Sequence, residues 1–404
     1  MKSEFSNGVM TICLAGRIDT SNSAAVEKEI NEILSSAGTI GKLQFDAAEL
    51  EYISSSGLRI MLKCKKQIAD LEIINASNTV YDIFEVTGFA SIMTVKKALR
   101  KLDLSKCELL AQGGNGAVYR VNDEEIIKVQ HLAETEQMML DEMRRAKAAF
   151  VLGVPTAISY DIVDCGEGRK GAIYEALNST TFGNYVHTNP EKLAESAVRY
   201  ADLLDTLHST EADAASFGRM KDIYLGYYEE SLKNGYLTAE EIEICKSLLD
   251  FIPDANTLVH GDAHTNNILM NGEKGAEEPM FIDMADTALG HFIFDIAGIG
   301  LAMLGSQRNE RCLGICGMAS TEINQFLSVA FAHACGITDA EEIKQILPRV
   351  ARISFIKHSM IVGMSTKDIN AMRDLLVAHI RANFFPNIEQ IKQDIQWFIE
   401  HYRK

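Results

Sequence analysis

The sequence predicts a small α/β layer unit followed by a larger α+β unit in which strands come first and helices follow. Three observations carry this expectation. Strand-like and helix-like segments alternate over the first hundred residues. Cys107–Arg120 then reads as strand, glycine-rich turn and strand. After Leu132 long helical patterns dominate. At 404 residues the chain is too long for one ordinary core.

Met10–Ile18 is apolar, partly β-branched and closed by Asp19-Thr20-Ser21-Asn22-Ser23, the pattern of a strand ending in a turn. Ala24–Leu34 places Val26, Ile30 and Leu34 at helical spacing. Lys42–Phe45 begins a second strand. Ser54-Ser55-Ser56-Gly57 makes a tight turn into an apolar helix over Leu58–Ala69, and Leu71–Asn75 is a third strand. Asn78 is placed to cap a helix through Val80, Ile83 and Phe84. The character of the chain changes near Leu104 with no Gly/Ser linker. Helices are expected over Glu191–His208, Thr238–Phe251 and Thr321–Cys335, with the tail from Thr338 broken at Pro348 and Pro386. The expected division is 1–103, 104–177 and 178–404.

Composition narrows the function classes. Met1–Asp103 is near neutral, so the remainder carries nearly all of the net charge of −17. That balance argues against general nucleic-acid binding and against attraction to an anionic membrane. It leaves room for a nucleotide, which a local nest of backbone N–H groups can hold. Met1–Gly8 lacks a basic stretch followed by an apolar core, so no signal peptide is expected. Ile293–Leu304 is too short to span a bilayer and contains Asp295. Eight Cys without framework spacing point to free thiols and a reducing cytoplasm.

Four segments carry the chemistry. Gly113, Gly114, Asn115 and Gly116 lie between two strands, where glycines let backbone approach phosphate oxygens; taken alone, a simple hairpin turn is the more common explanation of such a run. Lys128 sits in the apolar strand Ile126–Val129, an awkward place for an ammonium without partners. The spacing suits a Lys that pairs nucleotide phosphates with a Glu of the next helix, Glu142 first and Glu136 second. In Leu258–Leu269, Asp262 and Asn267 stand five apart, the Asp-to-Asn spacing of a kinase catalytic loop. Asp262 can take or orient a hydroxyl proton, and Asn267 can offer an amide oxygen to Mg²⁺. Met280–Asp286 then ends an apolar strand in Asp283, a second hard oxygen ligand.

Two resemblances follow from these residues. Gly16-Arg17-Ile18-Asp19-Thr20 and Phe45-Asp46…Tyr52-Ile53-Ser54-Ser55-Ser56-Gly57-Leu58 resemble the STAS domain of bacterial anti-sigma factor antagonists over roughly Met1–Asp103. The resemblance implies an anti-sigma-like protein partner and makes Ser55 the candidate phosphate acceptor. Ser54 stands where the family commonly has Asp. A helix N-terminus suits phosphate, and Ser54–Ser56 as a plain helix cap is the competing reading.

His260-Gly261-Asp262-x-His264-x-x-Asn267, followed by Asp283, is similar to the aminoglycoside-phosphotransferase and choline-kinase group of protein-kinase-like folds. That resemblance implies a two-lobed domain with a helical C-lobe, ATP and Mg²⁺ as cofactors, Asp262 as catalytic base, Asn267 and Asp283 as metal ligands, and Lys128 as phosphate clamp. It also implies an adenine-holding hinge at Tyr174-Glu175-Ala176-Leu177, with Glu175 and Leu177 as its contacts, and structural roles for Asp295, His260 and His264. The expected activity is transfer of phosphate to a small-molecule hydroxyl, with a regulatory first domain. Two alternatives stand beside it: a protein Ser/Thr kinase acting on a STAS serine such as Ser55, and a nucleotide-binding switch without turnover.

Overall fold

The computed structural model describes residues 1–112, 116–130, 136–177, 179–273, 275–305 and 309–402. The chain divides into two compact units, Met1–Leu102 with Val163–Gly166, and Asp103–Ile162 with Glu167–Lys404.

In the first unit, β1 (Ser3–Ser6), β2 (Val9–Ile18), β3 (Lys42–Ile53), β4 (Leu71–Ala76) and β5 (Thr94–Lys97) form one sheet in that order. Only β1 runs antiparallel to its neighbour. Helices α1 (Ser23–Ser36), α2 (Ser55–Gln67) and α3 (Asn78–Val86) make the crossovers, and a short β6 (Arg100–Lys101) follows. Alternate strand residues Ile12, Leu14, Phe45 and Ile73 are buried with Phe84 of α3 and Met61 of α2, the period-two pattern of a sheet covered on one face.

Two local expectations needed correction. The second helix begins at Ser55 and ends at Gln67, three residues before the expected start at Leu58, because Ser54 caps it by accepting from the Gly57 amide at 3.5 Å. Ser77, not Asn78, caps α3, through the Val80 amide at 3.3 Å. Gly57 is required by close approach: a Cβ there would lie 2.6 Å from Ile53 Cγ1 and 2.8 Å from Ile18 Cγ2.

The second unit opens on β7 (Glu108–Gln112), β8 (Gly116–Arg120) and β9 (Glu125–Gln130), then α4 (Glu136–Val151), β10 (Ser159–Asp164) and β11 (Lys170–Glu175). β11, β9, β8 and β7 are neighbours in antiparallel order. The helical lobe is built from α5 (Phe182–Thr188), α6 (Leu193–His208), α7 (Ala214–Phe217), α8 (Met220–Lys233) and α9 (Ala239–Phe251). Five short strands interrupt it: β12 (Ser179–Thr181), β13 (Leu258–Val259), β14 (Ile268–Asn271), β15 (Glu278–Phe281) and β16 (Ala288–Leu289). Helices α10 (Ile293–Ile299), α11 (Asn309–Cys316), α12 (Ser320–Cys335), α13 (Ala340–Ile353), α14 (Phe355–Ile361), α15 (Lys367–Asn383) and α16 (Ile388–His401) complete it.

Pro348 was expected to break the tail but lies inside α13. An interior proline costs a helix about 3 kcal/mol. Burial of Ile346, Val350 and Ile353 from the same helix offsets that cost. Asp394 of α16, fully buried, also ties α13 down: it accepts from Arg349 at 2.8 Å and from Arg352 at 2.6 Å. Pro386 does fall at a break, in the single turn Phe385–Asn387 between α15 and α16. Among the described residues, no helix is long and apolar enough to cross a membrane.

Candidate active site

The site lies in the second unit, where the strand lobe meets the helical lobe. Lys128 of β9 points its ammonium at two carboxylates. Asp283 Oδ1 is 3.0 Å away and Glu142 Oε1 3.6 Å. Of the two glutamates weighed from sequence, the fold brings Glu142 to Lys128; the side chain of Glu136 lies outside the described residues, as do Gly113, Gly114 and Asn115. Gly116 opens β8 and is half-buried.

Glu142 is buried, which raises its carboxyl above the ordinary value, and the nearby Asp283 charge pushes the same way. Lys128 and the Tyr174 hydroxyl, which donates to Glu142 Oε1 at 3.3 Å, oppose that rise. Tyr174 was expected in the hinge, outside the strand that precedes it. The strand instead runs to Glu175 because its pairing with β9 continues to Glu125. The Ala176 amide still donates to Glu124 O at 2.8 Å.

The loop His260–Asn267 is held from many directions. Asp295, wholly buried in α10, accepts from the His260 amide at 2.9 Å and the Gly261 amide at 2.7 Å. Burial alone would raise its carboxyl, but His208 at 2.8 Å and the loop amides hold it below the usual carboxylate value. Lys357 of α14 donates to Gly261 O at 3.1 Å, and the Tyr200 hydroxyl to Ala263 O at 2.7 Å. Thr265 donates to Cys316 O at 2.7 Å. The expected structural role of Asp295 thus has a geometry.

His260 braces the two halves of the motif. Its Nδ1 accepts from the Asp262 amide at 3.3 Å, and its Nε2 donates to Ile282 O at 3.0 Å. The Ile282 amide in turn donates to Asn267 O at 2.9 Å. These bonds place Asp283, the next residue, beside the loop. Asp283 stands two residues past the end of β15, in the left-handed backbone region at φ 62° and ψ 57°.

Asp262 is partly exposed. Asn267 Nδ2 donates to Asp262 O at 2.9 Å and to its Oδ2 at 3.3 Å, which leaves the amide oxygen of Asn267 directed away from Asp262. His264 Nε2 is 3.6 Å from Asp262 Oδ2. Burial pushes the His264 imidazole below its ordinary value, against the pull of the Asp262 carboxylate.

Sequence reasoning missed Tyr174 as a partner of Glu142, and it missed Arg145, Lys357, Tyr200 and His208 altogether. Each is a single polar residue in an ordinary helix or strand, and only burial of its polar end marks it. A tyrosine or histidine inside an otherwise apolar helical face, as at Tyr200 and His208, was the one signal available.

A strand lobe carrying Lys128, a helix carrying Glu142, and a braced Asp–Asn loop followed by Asp283 define a phosphotransferase, an enzyme that moves a phosphoryl group to an alcohol acceptor. The chain belongs to the phosphotransferase enzyme family, whose model matches residues 106–315, and its residues 1–102 match the STAS domain. The first unit is 30% identical over 93 residues to BtrV of Bordetella bronchiseptica, assigned as an anti-sigma factor antagonist; the match covers 22% of this chain and 78% of that protein. Among solved structures, aminoglycoside phosphotransferase APH(4)-Ia aligns with 14% identity and a TM-score of 0.47, over 72% of this chain and 94% of its own. ADP-bound APH(2'')-Ib aligns with 17% identity and a TM-score of 0.42, over 80% and 99%. The assignment rests on the family match.

Proposed function

We propose that the chain transfers the terminal phosphoryl group of ATP, with Mg²⁺, to the hydroxyl of a small molecule, and that its STAS domain regulates this activity or binds a protein partner. The observation that supports it is the convergence of Lys128, Glu142 and Asp283 beside the Asp262–Asn267 loop. Phosphoryl transfer needs mostly positioning and charge neutralisation, and these residues offer both.

In this reading Asp262 orients the acceptor hydroxyl and takes its proton. Its exposure admits the acceptor, while Asn267 and the braces on Gly261 and Ala263 keep the carboxylate aimed. Lys128, oriented by Glu142, meets the phosphates. The glycine-rich turn ending at Gly116 covers them, and the backbone of Glu175 and Leu177 meets the base. Asp283 and the Asn267 amide oxygen form a hard-oxygen donor pair that fits Mg²⁺. The bound metal would neutralise phosphate charge.

A second reading has a specific observation behind it. Of the three serines at the start of α2, Ser55 alone is exposed. It is the first helical residue and no acidic residue occupies that turn, so a phosphate there would meet free amides and a favourable dipole. Ser55 is then an acceptor for a separate kinase or for this chain.

Intact-mass spectrometry after incubation with ATP and Mg²⁺, paired with an ADP-release assay on a metabolite pool, separates the readings. ADP release that depends on an added metabolite, with no mass gain, supports the small-molecule kinase. A gain of one phosphate without metabolite supports self-transfer. Neither signal would leave nucleotide binding without turnover and reject the proposal.

A further inference from the structure

The helix that carries Glu142 also reaches the other side of Asp283. Arg145 follows Glu142 by three residues in α4, so the two side chains leave one helix face. The Arg145 guanidinium donates through Nη1 to the backbone carbonyl of Ala285. Ala285 is two residues past Asp283, in the single turn Met284–Asp286. Glu142 meanwhile reaches Asp283 through Lys128, at 3.6 Å and 3.0 Å. Helix α4 therefore grips Asp283 twice, by its side chain through Lys128 and by its backbone turn through Arg145.

That turn needs holding. Asp283 has φ 62°, a conformation that few non-glycine residues adopt and that persists only where neighbours enforce it. On its N-terminal side the enforcement comes from the Ile282 amide bond to Asn267 and from His260 on Ile282 O. On its C-terminal side Arg145 supplies it. Its neighbour Arg144 takes the helix's own Asp141 as a partner at 3.1 Å, whereas among the described residues no ion pair is found for Arg145, and its Nε is buried without a hydrogen-bond partner. The guanidinium is thus committed to a carbonyl in the metal-ligand turn rather than to a charge pair.

We propose that Arg145 is a positioning residue for Asp283: it fixes the turn that aims this carboxylate at the nucleotide-bound Mg²⁺. The inference rests on the reading of Asp283 as a metal ligand. Groups that orient a metal ligand from outside the coordination sphere typically change metal affinity 10- to 100-fold.

The test measures equilibrium binding of a non-hydrolysable ATP analogue to the full chain across a Mg²⁺ titration and in EDTA, with circular dichroism as the folding control. Wild type is expected to bind more tightly with Mg²⁺. In Arg145→Met the Mg²⁺ concentration for half-maximal enhancement should rise at least about tenfold, with metal-free affinity within about twofold of wild type. Arg145→Lys, which keeps one shorter donor, should fall between them. It carries the decision if the Met variant does not fold. A folded variant with the wild-type Mg²⁺ requirement overturns the proposal, and so does an equal loss of metal-free and metal-bound affinity. Absence of any Mg²⁺ effect in wild type instead removes Asp283 as a ligand, and the role of Arg145 with it.

Discussion

Lys128 Nζ lies 3.0 Å from Asp283 Oδ1, closer than its 3.6 Å to Glu142 Oε1. One cation therefore links the strand lobe to the turn that follows the Asp262–Asn267 loop. The link spans 155 residues of sequence. Lys128→Ala removes both contacts and leaves Glu142 buried beside no cation. Nucleotide affinity or turnover should fall at least about tenfold. Isothermal titration with an ATP analogue, alongside steady-state kinetics, checks this; wild-type values in both would take Lys128 out of the site.

Asp262→Asn keeps the shape of the side chain but cannot accept a proton. Phosphoryl transfer should fall roughly 10²-fold or more, while nucleotide binding persists because Lys128, Glu142 and Asp283 are untouched. The measurement is kcat with the acceptor found by metabolite screening. Turnover at the wild-type rate rejects Asp262 as the base.

The STAS domain carries its own acid-labile contact. Glu72 of β4 is buried on the polar face of the sheet, where burial alone would raise its carboxyl. Lys42 at 2.9 Å, Gln44 at 2.5 Å and Lys96 at 3.1 Å outweigh burial and hold it down, at about 2. A carboxylate depressed on folding stabilises the fold above its unfolded value near 4.5 and loses that contribution as pH falls toward 2. The contribution is on the order of 2 kcal/mol, after allowing for solvent screening at the sheet surface. Glu72→Gln should flatten the acid dependence of hydrogen-exchange protection in β3 and β4 between pH 5 and pH 2 on the order of that window. An unchanged acid profile would show that the Glu72 cluster contributes nothing.

Ser55→Ala should fold normally and lose phosphate on the first unit, because Ser54 makes the cap and Ser55 is exposed. Arg59 is the exposed neighbour that a partner could read, whereas Leu58 is buried in the core. Site-resolved mass spectrometry of protein from its native cells and after incubation with ATP and Mg²⁺ decides. Phosphate on Ser54 or Ser56 alone moves the acceptor by one position. None on all three reduces the turn to a helix cap.

The parts of the site legible in the sequence were those that chemistry ties to local spacing. Asp262 and Asn267 share one loop, so their separation is written in the chain. Lys128 showed itself as a charge in an apolar strand, and Asp283 as a charge following one. The helix starts were read less well. The α2 helix starts three residues before the expected Leu58 and Ser77 stands one position before the expected cap at Asn78, because a run such as Ser54-Ser55-Ser56 offers several equivalent caps and only the backbone geometry selects one.

What the sequence by itself determined was the order of the two units, the place of the Asp262–Asn267 loop and the identities of its polar residues. These follow from local periodicity and short-range spacing, which the chain carries without folding. What only the tertiary structure decided was which distant groups hold that loop. Asp295, Lys357 and Tyr200 reach it from three separate helices, and Arg145 reaches the turn beyond it. A lone polar side chain in a helix has no pattern of its own. Its role appears only when burial removes water and leaves one backbone carbonyl or amide to satisfy it.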